Sequence, residues 1–297
     1  MVSAADVAVK SFRELEPEDL RMLHVIEANM SRYRYIPEKT LPKLANLAEH
    51  EVQYRLSRLD QFKLIYRWTG GPYTGYSLNT SGYDSLAINA LVKAEVLEAF
   101  GKSLGVGKEA DVYDALTPDN RRIAVKFHRL GRTSFRQTRR VRDYIAERRH
   151  ISWLYQSRLA AEKEHEALKL LHRHRIAVPR PIYQNRHLVA MGMIEGAELA
   201  EYKKLPDPQK TLWKVLANIR KAYKNAGTIH ADLSEYNIIV KPNWHILIID
   251  WPQYVTRGHP NAEHLLKRDI RNVLRFFQRK YRIEAKIKDI LDYVQKE

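Results

Sequence analysis

The chain has 297 residues, 44% hydrophobic and 29% charged, which is long enough for two domains, and it has no cysteine, so disulfides, thiolate metal sites and cysteine nucleophiles are excluded. No stretch approaches the ~20 apolar residues of a membrane span, and Met1-Val2-Ser3-Ala4-Ala5-Asp6 lacks the basic and apolar regions of a secretory signal, so a cytoplasmic protein with no membrane partner is expected. The net charge of +16 is uneven: residues 1–93 hold 12 Lys and Arg against 11 Asp and Glu, the remainder 39 against 24, so the C-terminal two-thirds should attract polyanions, whether nucleic acid or nucleotide phosphates.

From the N-terminus, Glu18 to about Asn29 carries Leu20, Leu23, His24 and Glu27 at helical spacing, with Met22, Val25 and Ile26 widening the apolar face. Thr40 is placed to cap a second helix that tolerates Pro42 in its first turn and buries Leu41, Leu44 and Leu47. A third helix, about His50 to Leu59, buries Val52, Leu56 and Leu59 and turns Gln53, Arg55, Ser57 and Arg58 outward. Lys63–Trp68, a Gly70-Gly71-Pro72 turn and Tyr73–Leu78 read as a hairpin. Asn79 or Thr80 then caps a closing helix through Ala87, Leu91 and Val92. Three helices and a two-stranded wing make the winged-helix order, whose third helix reads a nucleic-acid groove.

Beyond residue 93 the pattern becomes strand and glycine-rich turn. In Leu104-Gly105-Val106-Gly107-Lys108-Glu109-Ala110-Asp111-Val112-Tyr113, Gly105 and Gly107 let backbone amides approach phosphate oxygens. This loop is a weak signal alone. About twenty residues later, Arg122-Ile123-Ala124-Val125-Lys126 is a short strand delivering an ammonium that can reach α- and β-phosphates. Its carboxylate partner lies in Ala161-Glu162-Lys163-Glu164-His165-Glu166, where spacing does not choose among the three glutamates.

The strongest element is Ile229-His230-Ala231-Asp232-Leu233-Ser234-Glu235-Tyr236-Asn237, which matches H-x-D-x-x-x-x-N. Asp232 would orient or deprotonate the nucleophile, and Asn237 would ligate magnesium. Thirteen residues on, His245-Ile246-Leu247-Ile248-Ile249-Asp250 is an apolar strand ending in a carboxylate, and Asp250-Trp251-Pro252 stands where kinases write D-F-G. Magnesium prefers carboxylate and amide oxygens, with phosphate completing the shell. Four elements in the right order predict ATP and Mg2+ as cofactors.

Together these residues resemble the RIO family of atypical kinases, specifically its second type, in which a winged helix precedes the kinase domain. The resemblance rests on the loop 105–111, Trp153-Leu154-Tyr155-Gln156-Ser157-Arg158-Leu159 ahead of the carboxylate helix, the segment 230–237, Ile249-Asp250-Trp251-Pro252-Gln253, and His259-Pro260-Asn261-Ala262 with Arg268-Asp269. It implies an α+β fold, with a winged-helix domain at 1–93. A bilobal kinase-like domain with a trimmed C-lobe would follow at 94–297 (N-lobe about 94–190, C-lobe about 195–297). It also implies a nucleotide-binding set of Gly105, Val106, Gly107, Lys108, Glu109, Ala110, Val112 and Lys126. Glu164 would be the helix partner, and Met191, Gly192 and Ile194 the adenine-recognising hinge. Asp232 would be catalytic, Asn237 and Asp250 the metal ligands, with Asp250 able to accept phosphate. Ser234 replaces the lysine of ordinary kinase catalytic loops, as is usual in the family. Departures are Ala110 where Ser is frequent and Ala231 where Gly is frequent. The implied role is late maturation of the small ribosomal subunit, with the immature particle and its rRNA as partners.

Two features suit that role independently. Only 47 residues follow Asp250 and no A-P-E element is found, so the usual peptide-docking platform is short of chain. Residues 128–149 carry Arg129, Arg132, Arg136, Arg139, Arg140, Arg142, Arg148 and Arg149, read as a mobile phosphate-sensing loop. Two other readings remain: a small-molecule phosphotransferase resembling aminoglycoside or choline kinases, and an ATP-sensing regulator that binds duplex DNA through Arg55 and Arg58.

Overall fold

The structure, a computed structural model, describes residues 3–107, 109–130 and 143–296, with backbone alone for 143–152. The chain forms two compact units, residues 1–159 with 184–190, and 160–183 with 191–297. Among the described residues no helix is long and apolar enough to cross a membrane.

In the first unit, α1 (Ala4–Ser11) starts from a capping box in which Ser3 and Asp6 satisfy each other's backbone N–H groups. The sequence reading had not anticipated this helix. After it come α2 (Pro17–Asn29), β1 (Ile36–Pro37), α3 (Leu41–Ala45), α4 (Glu49–Gln61), the wing strands β2 (Ile65–Trp68) and β3 (Gly75–Leu78), and α5 (Thr80–Lys93). The expected winged-helix order is present, with β1 pairing antiparallel to β3 so that the wing sheet runs β1-β3-β2. Pro17 sits at the first helical position of α2, and Asn79, whose side chain accepts from Gly82 N–H, caps α5 as expected. At Gly82 a Cβ would lie 2.2 Å from the Leu64 carbonyl oxygen, so only glycine lets α5 press against the wing.

Three details differ from expectation. Helix α3 stops at Ala45 because Asn46 turns left-handed (φ 52°), so Leu44 is exposed instead of buried. Thr40 makes no side-chain cap. Arg55, expected on the outer face of α4, is 7% exposed: its guanidinium donates to Glu16 Oε2 (2.6 Å) and Glu51 Oε1 (2.7 Å) and lies 3.4 Å from Asp19. Arg58 donates to the same Asp19 carboxylate at 3.1 and 3.2 Å and to the Glu14 carbonyl. Both arginines of α4 are paired within their own domain, which removes the residues expected to bind duplex DNA.

The unit continues with β4 (Ala99–Val106), β5 (Ala110–Leu116) and β6 (Arg122–His128), then α6 (Asp143–Arg173), which passes into the second unit at Ala160. Strands β7 (Pro181–Asn185) and β8 (Leu188–Gly192) complete a sheet of order β4-β5-β6-β8-β7. Trp153–Leu159, read as preceding the carboxylate helix, lies inside α6.

A buried ionic cluster ties winged helix to sheet. Arg129, directly after β6, donates from Nη1 and Nη2 to the two oxygens of Asp84 on α5 (2.7 and 2.6 Å) and from Nε to Asp111 on β5 (3.0 Å). His187 Nε2 sits 2.6 Å from Asp84 Oδ1, its ring stacked on Tyr83. Arg129 is 4% exposed, so it is not the solvent-facing phosphate sensor that its place in an arginine run suggested. Residues 131–142, with Arg132, Arg136, Arg139, Arg140 and Arg142, lie outside the described residues, and Arg148 and Arg149 fall within α6. Burial pushes Asp84 up, but Arg129 and His187 together outweigh it and hold the carboxyl below its ordinary range. Burial pushes His187 down to about 4, against the opposing contact with Asp84.

The second unit adds β9 (Ala197–Glu198), α7 (Pro208–Asn225), β10 (Thr228–Ile229), β11 (Ile238–Val240), β12 (Ile246–Ile248), β13 (Val255–Thr256), α8 (Ala262–Tyr281) and α9 (Ile287–Gln295). Its sheets are small, β12-β11-β9 and β10-β13. They lie beside α7 and α8, whose apolar faces bury Leu212, Val215, Leu216, Leu266, Ile270, Val273 and Phe277.

Asp84→Ala should cost about 3–5 kcal/mol in urea unfolding, because it takes from a buried guanidinium its two-bond partner and leaves only Asp111 among the described carboxylates; a loss below about 1 kcal/mol would show the cluster to be dispensable. A neutral buried His187 takes up its proton more readily when unfolded. Stability should therefore fall as pH drops from about 6.5 towards about 4, and less steeply in His187→Gln.

Candidate active site

In the first unit, β4 and β5 pair with Gly105 opposite Val112 and Val106 opposite Asp111, and Gly107 N–H donates to the Ala110 carbonyl at 2.8 Å to close the turn. Lys108 lies outside the described residues. Gly105, Val106 and Gly107 are exposed, and a Cβ built on Gly105 would meet nothing within 4 Å. No atom of the described residues forbids a side chain there, so that space is open for a ligand. Glu109 faces solvent while its carbonyl accepts from Arg129 N–H at 2.6 Å, so the buried cluster also holds the far side of the turn. Lys126 lies on β6 directly across from Val112, with its side chain mostly buried. The strand therefore fixes its position along the sheet, and burial restricts its rotamers.

The second unit carries the carboxylates. Of the three glutamates left open by spacing, Glu164 is 1% exposed, Glu162 half-buried and Glu166 exposed. A carboxylate withdrawn from water needs a fixed partner, so Glu164 is the one suited to a permanent ion pair. Met191 ends the buried part of β8. Gly192 N–H donates to the Arg180 carbonyl at 2.8 Å, and Ile194 follows half-buried.

The loop bearing Asp232 is built from below. Asp269 on α8 is buried, and its two oxygens accept from Ala231 N–H (2.7 Å) and Leu233 N–H (3.1 Å), one on each side of Asp232. Asn272, one turn on, donates to the Leu233 carbonyl at 3.1 Å, and Arg268 donates to the Ala231 carbonyl. Ala231 is thereby held at φ 63°, a left-handed conformation costing a β-carbon residue about 1–2 kcal/mol. Burial pushes Asp269 up to about 6; the Leu233 and Ala231 amides and Arg268 oppose that push, and Asp232 adds to it. Sequence reasoning singled out Arg268-Asp269 as a family mark but assigned no role, and it missed Asn272. Their i, i+1 and i+4 spacing on an amphipathic helix was the available signal.

Asp232 itself is exposed. Asn237 Nδ2 donates to the Asp232 carbonyl at 2.9 Å, which turns Oδ1 of the amide outward as an acceptor. Asn237's own carbonyl accepts from Ile249 N–H at 2.9 Å, next to Asp250. His230, buried and kept neutral by burial despite nearby Asp250, Asp232 and Glu164, has Nε2 2.9 Å from the Ile249 carbonyl. Trp251 packs on His230 with ring centroids 4.5 Å apart and donates from Nε1 to the Ile248 carbonyl. Asp250 is at φ 67°, also left-handed, between these two anchored neighbours. Asp232, Asn237 and Asp250 are thus coupled through backbone bonds within one unit.

This arrangement fits a magnesium-nucleotide. Among the described residues no three His, Cys, Asp or Glu side chains cluster as a self-sufficient metal site. One carboxylate and one outward amide oxygen make the partial shell that magnesium takes when phosphate oxygens complete it. Comparison with known proteins agrees with the geometry. Residues 111–290 match the RIO domain and residues 12–94 the Rio2 N-terminal domain. The chain belongs to the RIO kinase family.

Among RIO proteins it is 43% identical to the RIO-type serine/threonine-protein kinase Rio2 of Methanocaldococcus jannaschii, over 90% of this chain and all of that one. It is 36% identical to the rio2 kinase of Schizosaccharomyces pombe, over 96% of this chain and 82% of that one. The solved Rio2 kinase of Chaetomium thermophilum, captured as an ADP/Mg2+-phosphoaspartate complex, superposes with a TM-score of 0.84 at 32% identity, over 97% of this chain and 89% of that one. RIO membership of the Rio2 type makes the chain an ATP-binding serine/threonine kinase by family.

Asp269→Asn offers one oxygen where two amides need acceptors, leaving a buried N–H unpaired at about 1–3 kcal/mol. The expected result is a fall in turnover of tenfold or more with nucleotide affinity nearly unchanged. Equal losses in both would place Asp269 in general folding instead of loop positioning.

Proposed function

We propose that this protein is an ATP- and magnesium-dependent atypical serine/threonine kinase or ATPase that acts in late maturation of the small ribosomal subunit. The observation that carries the reading is the anchored loop, in which Asp232 stays exposed while the residues on either side are bonded to one buried carboxylate. Phosphoryl transfer asks little covalent chemistry of a protein and much positioning, and this loop supplies positioning.

In this reading Asp232 orients the attacking hydroxyl or water and takes its proton. Lys126 contacts the α- and β-phosphates, with Glu164 as its partner, and residues 105–112 cover the phosphates with backbone N–H groups. Met191, Gly192 and Ile194 frame the adenine. Asn237 Oδ1 and the Asp250 carboxylate would hold magnesium, which neutralises charge on the phosphate oxygens when bound. The phosphoaspartate in the Chaetomium relative supports a second role for Asp250. One carboxylate oxygen bonds to the γ-phosphorus, the bond to the bridging oxygen breaks, and ADP leaves; water later hydrolyses the acyl phosphate, giving net ATP hydrolysis. The immature subunit and its rRNA as partners, and a cytoplasmic site of action, are part of the same proposal, supported by the excess of cations beyond residue 93.

Asp232→Asn should lower phosphoryl transfer by about 10²–10⁴-fold while ATP affinity is largely kept. Asp250→Ala should weaken magnesium-nucleotide binding itself, seen by calorimetry with and without EDTA. Hydrolysis by the wild type should rise on adding immature small-subunit particles. Stimulation by an aminoglycoside or amino-alcohol, and none by particles, would favour the small-molecule alternative.

A further inference from the structure

The exposed face of the wing sheet is tiled with aromatic rings. Tyr66 and Trp68, two apart on β2, point away from the core that Ile65 enters. The middle strand opposes them with small residues: Ser77 pairs with Tyr66 and Gly75 with Trp68. A Cβ on Gly75 would lie 2.8 Å from the Tyr35 Cβ, so glycine lets Tyr35 cross the middle strand to reach Trp68. The two rings stack with centroids 5.4 Å apart and planes within 7°, and Tyr73 meets Trp68 edge-on at 5.4 Å. Tyr66 and Tyr73 are 50% and 43% exposed. Tyr66 and Tyr73, left in water beside the half-buried Tyr35 and Trp68, do not complete the domain's core, which contains Ile36, Ile65, Tyr76 and Leu78.

Charge distinguishes this face from an ordinary sticky patch. The segments forming it, residues 30–39 and 62–76, contain Arg32, Arg34, Lys39, Lys63 and Arg67 against one carboxylate, Glu38, which accepts from Tyr76 OH. The other residues of 1–93 hold seven cations against ten carboxylates, and of those cations Arg55 and Arg58 are locked in ion pairs. The wing is therefore the basic pole of an otherwise acidic domain. The Arg34 guanidinium sits 5.8 Å from the centre of the Tyr35 ring. Exposed rings bordered by cations suit a ligand with flat apolar faces on a polyanionic backbone, and unpaired nucleotides have that chemistry. Duplexes keep their base faces stacked internally and cannot use such a platform.

We infer that the wing face of Tyr35, Tyr66, Trp68 and Tyr73 is a binding site for single-stranded RNA, stacking unpaired bases while Arg32, Arg34 and Lys63 contact phosphates. The winged helix thus engages RNA through its wing and not through α4. This rests on the reading that the protein works on an RNA-containing particle, and it names the surface and the form of RNA.

The test uses the full-length protein and fluorescence anisotropy with a short fluorescein-labelled oligouridylate and, in parallel, a blunt RNA duplex. The wild type should prefer the single strand. Tyr66→Ala and Trp68→Ala should each weaken single-strand binding about tenfold, with Tyr66→Phe close to wild type because it keeps the ring. Thermal unfolding checks that the variants fold, and 4-thiouridine crosslinking of the wild type should label the peptide holding Tyr66 and Trp68. Wild-type binding that the alanine variants retain, with crosslinks elsewhere, overturns the platform but leaves the RNA partner intact. No binding of either RNA by the wild type overturns both. Loss of particle binding with naked-RNA binding unchanged would assign the face to a protein and also overturn the inference.

Discussion

The catalytic half of the molecule depends on one buried carboxylate. Asp269 accepts from the amides on both sides of Asp232, and with Arg268 and Asn272 it fixes the loop to α8, the longest helix that starts in the second unit. A loop held by backbone bonds keeps its shape whatever its side chains do, so Asp232 can remain exposed and still be positioned. The cost is visible in the left-handed backbone of Ala231 and in a carboxyl pushed towards neutrality by burial. Strain of this kind persists where surrounding bonds over-determine it. The same loop passes its order onward through Asn237 to Ile249, so the acceptor that would meet magnesium and the residue beside Asp250 share one scaffold.

The glycine turn of the first unit has a different anchor with the same logic. Arg129 joins Asp84 of the winged helix to Asp111 at the base of the glycine turn, and its own amide holds the Glu109 carbonyl. The turn is open above Gly105 and fixed below. Winged helix and sheet are therefore one unit by physical contact, although the sequence pattern changes character at residue 93. A buried ion cluster is poor at adding stability but punishes any arrangement that separates its members.

Much of this was legible in the sequence. The helix–helix–helix–wing order followed from apolar periodicity and turn residues, because periodicity is a property of a continuous segment. Lys126, Asp232, Asn237 and Asp250 were singled out by motif spacing, which is equally local. Choosing Glu164 over Glu162 and Glu166 needed either the family resemblance or its observed burial, since helical spacing argues for a face and not for which face is inside. The arginines were misread for a related reason. Arg55 and Arg129 look like free cations in a basic run, yet each is buried against carboxylates from 18 to 45 residues away.

The sequence by itself determined the winged-helix order ahead of a mixed helix-and-strand kinase-like region, because local propensity and motif spacing are written in neighbouring residues. Tertiary structure alone decided which charges face water, that Asp269 grips the loop at Ala231 and Leu233, and that Tyr66 and Tyr73 of the wing stay exposed. Those outcomes depend on partners distant along the chain, and a charge declares its role only when its counter-charge is brought beside it.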